Sequence, residues 1–114
     1  MTLQSAYNYA DSLVALKRYQ EAKTLLRKLG PVARRVFGDP HIITLRMRWN
    51  YAVALCKDDG ATLDDYREAV TTLEDTARTV RRVFGGEHTI TKGTESGLRN
   101  ARAVLRARET PSLG

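Results

Sequence analysis

Arg34-Arg35-Val36-Phe37-Gly38 returns 47 residues later as Arg81-Arg82-Val83-Phe84-Gly85, and both copies run on into a matching His-x-Ile-Thr, His41 to Thr44 and His88 to Thr91. Upstream of this pair, Tyr19, Glu21, Ala22 and Leu26 match Tyr66, Glu68, Ala69 and Leu73 at the same spacing. Between residues 19–48 and 66–95, 13 of 30 positions are identical, so the segment is duplicated. Earlier in the chain the spacing is 42: Thr2-Leu3 falls on Thr44-Leu45, Asn8-Tyr9-Ala10 on Asn50-Tyr51-Ala52, and Leu13 on Leu55. The five-residue difference places an insertion around Asp58 to Thr62, in a surface turn where added length costs little. The unit is therefore about 42 residues long, present twice, and followed by the opening of a third copy. Self-similarity at such a period is the sequence mark of a helical solenoid.

The unit reads as a pair of helices. From Tyr19 to Phe37 the apolar residues recur at steps of three and four, one stripe wide enough to bury. No segment alternates apolar and polar residues for long enough to read as a strand. Five helices are expected, at roughly 3–16, 20–37, 40–57, 63–84 and 88–108, which makes the chain an all-α solenoid of two and a half repeats. Gly38 suits a left-handed helix stop, and Asp39 before Pro40 reads as an N-cap with proline in the first turn. Gly30-Pro31 conflicts with the second helix, since an internal proline removes a backbone bond. The apolar stripe continues in phase across it, which favours a kink over a break. One domain spans 1–110: a first repeat at about 2–38, a second at about 40–85, a capping helix at about 88–108, and a tail over 109–114.

Composition bounds the function. The chain has 114 residues, a size typical of one domain, with one Cys and a formal charge of +6. A lone cysteine cannot form an internal disulfide, and the apolar runs are far shorter than the roughly 20 residues a bilayer helix needs. The first dozen residues lack the basic start and apolar stretch of a secretory leader. A cytoplasmic protein with no membrane partner is expected. The charge is uneven: residues 1–38 carry seven basic and two acidic groups, 39–85 seven and eight, and 86–114 five and three.

Thr-Leu-x5-Asn-Tyr-Ala-x2-Leu, then Tyr-x-Glu-Ala-x2-Leu, then Val-Phe-Gly-Asp-Pro-His resembles the tetratricopeptide repeat, and most closely the 42-residue variety of kinesin light chains and NB-ARC-linked arrays. The likeness runs from residue 2 to about 105. Phe37 and Phe84 replace the usual leucine, and Gly97 and Arg99 stand where Asn and Ala are expected, so the last helix reads as a cap. Ala10, Ala22, Ala52 and Ala69 fall where paired helices approach closely. Tyr9, Leu13, Leu26, Val36, Tyr51, Leu55, Leu73 and Val83 would fill the interfaces between helices, with Phe37 and Phe84 plugging the repeat ends.

No catalytic constellation is present in the sequence. His41 and His88 read as turn histidines that bond a helix end, since a metal would need three or four ligands and no partner has suitable spacing. Cys56 reads as a small apolar residue. Asp58, Asp59, Asp64 and Asp65 read as solvation and helix N-terminal charge. No enzyme activity, cofactor or metal is expected. The tetratricopeptide resemblance implies a groove on the first helix of each pair that holds a peptide or partner helix. Carried over by register, its residues are Gln4, Tyr7, Asp11 and Val14, then Arg46, Trp49, Asn50, Val53 and Lys57, then Ser96 and Asn100. Trp49 is either a binding hot spot or half-buried against the next helix. Asp11 and Tyr7 stand where the carboxylate-clamp version needs Lys and Asn, which disfavours that version. The expected partner is a protein or peptide, acidic by analogy with the kinesin light chain groove. A homo-oligomeric scaffold is the second reading. Nucleic acid on the Arg99, Arg102 and Arg106 face is the least favoured, because no aromatics are interleaved with these arginines.

Overall fold

A computed structural model describes residues 2–109 as five helices: α1 (Leu3–Ala15), α2 (Tyr19–Val36), α3 (Ile42–Lys57), α4 (Leu63–Phe84) and α5 (Thr89–Glu109). Expected and observed boundaries differ by no more than two residues at each end. The expected tail begins inside α5 at Glu109, and its remainder, 110–114, lies outside the described residues.

Consecutive helices pack side by side, and α3 also touches α1 and α5, whereas the backbones of α2 and α4 stay apart and only side chains such as Arg27 and Glu68, 3.9 Å apart, bridge them. Two layers result. The first helices of each pair line one side, and α2 and α4 splay apart on the other. The body is elongated, 52 × 31 × 22 Å, as a stack of helix pairs must be. Position α3 is the centre of the array and is apolar on several sides, with Leu45, Met47, Ala52, Ala54 and Leu55 all buried. The four alanines at the duplicated positions are fully buried, so the helix pairs meet where the side chains are smallest. Leu13, Leu26, Leu55 and Leu73 are core residues as expected.

Three expected core residues are not. Tyr9 is 49% exposed, on the outer side of the first pair where no further helix among the described residues covers it. Val36 and Val83 are 64% and 42% exposed, because the last turn of α2 and α4 aims the following phenylalanine inward instead. Pro31 does not break its helix: α2 runs continuously from Tyr19 to Val36. The start of α3 also differs from expectation. Its N-cap is His41 and not Asp39, whose carboxylate is drawn away by Arg34 at 2.7 Å.

The duplicated turn is a built unit. Gly38 and Gly85 take φ of +92° and +85°, a region that side chains strain to adopt. His41 Nδ1 accepts from the Ile43 N–H at 3.1 Å, and His88 Nδ1 from Ile90 at 3.2 Å, so each imidazole caps its helix. Each ring also stacks on the preceding phenylalanine, Phe37 at 4.5 Å and Phe84 at 4.7 Å between centroids. The turn at the insertion is closed by a capping box. Asp65 N–H donates to Thr62 Oγ1 and Thr62 N–H to Asp65 Oδ2, and the second bond holds the Asp65 carboxyl below its ordinary range.

Candidate binding groove

The first-helix layer carries a cleft of about 200 Å³ between α3 and α5, floored by α4. Trp49, Val53 and Lys57 form its α3 wall at helical spacing, and Asn100 and Val104 form its α5 wall. Leu73 and Tyr66 close the bottom. Its lining is mainly apolar, with Lys57 and Asn100 exposed at the edge. Cys56 also faces it, and burial pushes the thiol up to about 11, so it stays protonated and serves as an apolar wall.

Two glycines shape the α5 side. A methyl placed on Gly93 would lie 2.3 Å from Trp49 Cζ2, so the indole rests directly on the backbone of α5. A methyl on Gly97 would lie 3.8 Å from Leu73 Cδ1, which leaves the cleft floor reachable. Glycine inside a helix costs up to about 1 kcal/mol against alanine, and close packing at Gly93 is the compensation. The far end of α5 is pinned. Arg108 stacks over the Tyr66 ring at 4.8 Å and donates to the Ala61 carbonyl, while Arg67 pairs with Glu109 at 3.0 Å.

Of the eleven groove residues expected from register, Trp49, Val53, Lys57 and Asn100 are brought together here. Trp49 takes the half-buried alternative. The α1 side is different. Tyr7 is only 8% exposed and belongs to the core between α1, α2 and α3, so it offers nothing to a ligand. Asn50 Nδ2 donates to Asp11 Oδ1 at 3.1 Å, a bond that ties α3 to α1. Val14 packs against the same core, Gln4 is exposed and bonds Asn8, and Arg46 and Ser96 are exposed on α3 and α5. Gly93, Cys56, Tyr66 and Val104 were not singled out for the groove from sequence. Two glycines four apart in an otherwise helical segment were the available signal.

The basic face of α5 is partly neutralised, since Arg102 donates to Glu74 at 3.0 Å. Among the described residues no group of three or more His, Cys, Asp or Glu could hold a metal, and no helix is long and apolar enough to cross a membrane.

Residues 1–43 match the family described as tetratricopeptide repeat, the family that the sequence motifs resemble. No curated protein and no solved structure matches the chain. Tetratricopeptide repeats are generally protein–protein interaction modules and typically non-catalytic.

Proposed function

We propose that this tetratricopeptide-repeat chain is a non-catalytic binding module whose α3–α5 cleft takes apolar side chains of a partner peptide or helix. The observation that carries the reading is the cleft itself: an apolar hollow bounded by Trp49, Val53 and Val104, with a cation and an amide at its edge. Apolar walls supply the burial, and Lys57 and Asn100 give orientation, Lys57 to a carboxylate and Asn100 to a peptide group. An acidic peptide with a large apolar residue fits that pattern.

Trp49 is the sole tryptophan, so its emission reports on this site alone. Titration with a library of acidic, leucine- or phenylalanine-containing peptides should shift that emission saturably. Val53→Glu, placing a like charge against the peptide inside the cleft, should weaken binders by about tenfold or more, the cost of about 1.4 kcal/mol. Trp49→Ala is a poorer probe because the indole also packs α3 on α5. Binders whose affinity is unchanged by Val53→Glu and Asn100→Ala would show that the cleft is not the site.

A further inference from the structure

The crevice between α2 and α4, floored by α3, is one of a pair. Gly30, Pro31, Arg34, Arg48 and Tyr51 line it, and their copies 47 residues on, Ala77, Arg78, Arg81, Glu95 and Leu98, line the hollow between α4 and α5. Charge closes the second hollow: Arg81 donates from Nε and Nη2 to the two carboxylate oxygens of Glu95 at 2.7 and 3.0 Å. In the first, Arg34 keeps the place of Arg81, but Arg48 stands where Glu95 does. Two arginines therefore share a hollow of about 200 Å³ whose copy holds an ion pair. Thr72 of α4 lines its far side, so it lies within the array and not at an end of it.

Neither guanidinium is saturated. Arg34 gives only its Nε, to Asp39 of the exposed turn, at 2.7 Å. Arg48, whose side chain is 15% exposed, gives only Nη2, to Asp75 at 2.6 Å, and Asp75 is shared with Arg78 at 3.6 Å. Among the described residues Arg34 and Arg48 make no other hydrogen bond. Cations with unmatched donors in a narrow hollow favour an oxyanion that brings its own acceptors. The Gly30-Pro31 dipeptide keeps one wall low and uncharged: a methyl added to Gly30 meets nothing within 4 Å, and Pro31 stands where the second copy has Arg78.

We propose that this crevice binds a carboxylate, an aspartate or glutamate side chain of a partner protein, held between Arg34 and Arg48 as Glu95 is held by Arg81. The planar guanidinium fork matches two carboxylate oxygens, which is the geometry the second hollow already displays. The site lies on the second-helix side of the array, so it is separate from the α3–α5 cleft and needs no occupant there.

The probe is a capped serine–glutamate–serine tripeptide, titrated into the full chain at low salt and followed by NMR of the arginine Nε–Hε signals. Those of Arg34 and Arg48 should shift saturably, and the same peptide with glutamine should leave them still. Arg34→Gln should weaken binding about tenfold, the size of one charge-assisted hydrogen bond. Lys17→Gln, the same loss of charge before the start of α2, should leave it unchanged. Gly30→Leu fills the crevice and improves the helix, so it should weaken binding while the melting temperature holds or rises. Val53→Glu in the cleft should not alter this titration, which separates the two sites. No saturation at tens of millimolar peptide overturns the proposal, as does binding indifferent to both Arg34→Gln and Gly30→Leu. Inorganic phosphate that shifts the same signals at lower concentration than the glutamate peptide overturns the carboxylate assignment.

Discussion

The handover from α2 to α3 and the handover from α4 to α5 are written with nearly the same residues, and they share some contacts and not others. Shared are the positive φ at Gly38 and Gly85, the histidine that caps the next helix, and the phenylalanine stacked on it. Not shared are the threonine and the arginine. Thr44 Oγ1 donates to the Ala33 carbonyl at 3.3 Å, whereas Thr91 Oγ1 is buried with no partner among the described residues. Arg34 pairs within its own turn with Asp39, whereas Arg81 reaches the next helix and meets Glu95. The backbone of the turn is thus the repeated object, and the polar side chains around it have been reassigned.

If that division is right, the glycines should carry the largest effect and an equal one. Gly85 has φ +85° and ψ 166°, a region only glycine occupies at ease, and nothing lies within 4 Å of an added methyl. Gly38 at φ +92° would place its methyl 3.7 Å from the Pro40 Cδ, an ordinary contact. Gly85→Ala and Gly38→Ala should each cost about 2 kcal/mol, all of it backbone strain, as read from chemical denaturation. A neutral Gly38→Ala would break the equivalence of the two turns.

The threonines should part in sign. Thr44→Val removes a made hydrogen bond and should destabilise by about 1 kcal/mol. Thr91→Val replaces a buried, unpartnered hydroxyl by a methyl of the same shape, so it should be neutral or stabilising by about 1 kcal/mol. Equal losses at the two sites would mean that Thr91 is satisfied in solution.

The period, the helices and the small-residue seams were legible in the sequence because they repeat. Ala10, Ala22, Ala52 and Ala69 could be placed by register, and all four are fully buried. The duplicated histidines were legible too, since a polar ring just past a glycine turn has one obvious bonding partner. The lining of the α3–α5 cleft was partly legible, through Trp49, Val53, Lys57 and Asn100. Tyr7 and Trp49 hold the same register, one in each of the first two copies. A helical stripe over 100° wide includes both the groove wall and the seam to the next helix, and side chains lean along the axis. Register alone could not say that Tyr7 turns into the seam. Tyr9 was misread for a different reason: its likeness to Tyr51 fixes the facing of the side chain but not whether a helix stands opposite. The seat of Trp49 on Gly93 is tertiary, joining two segments of low local similarity.

The arginines should give the smallest effect and the most informative one. Both Arg34 and Arg81 are more than half exposed, where ion pairs contribute little and salt screens them. Arg81 binds Glu95 through two nitrogens, at 2.7 and 3.0 Å, and so ties α4 to α5, while the single Arg34 contact at 2.7 Å only stiffens a turn. At low salt Arg81→Ala should therefore lower the melting temperature more than Arg34→Ala, with the gap shrinking as salt is added. Acid separates the ion pair from packing. The Arg81 guanidinium holds the Glu95 carboxyl below its ordinary range, so the pair's stabilisation is complete above the unfolded value of about 4.3 and is lost as pH falls through the lower folded value. Melting curves of wild type and Arg81→Ala should converge over that interval. A gap that survives in acid would assign the effect to the packing of the guanidinium beside Gly86, where an added methyl would lie 3.0 Å from Nη1, and the second handover would then be held by packing rather than by charge.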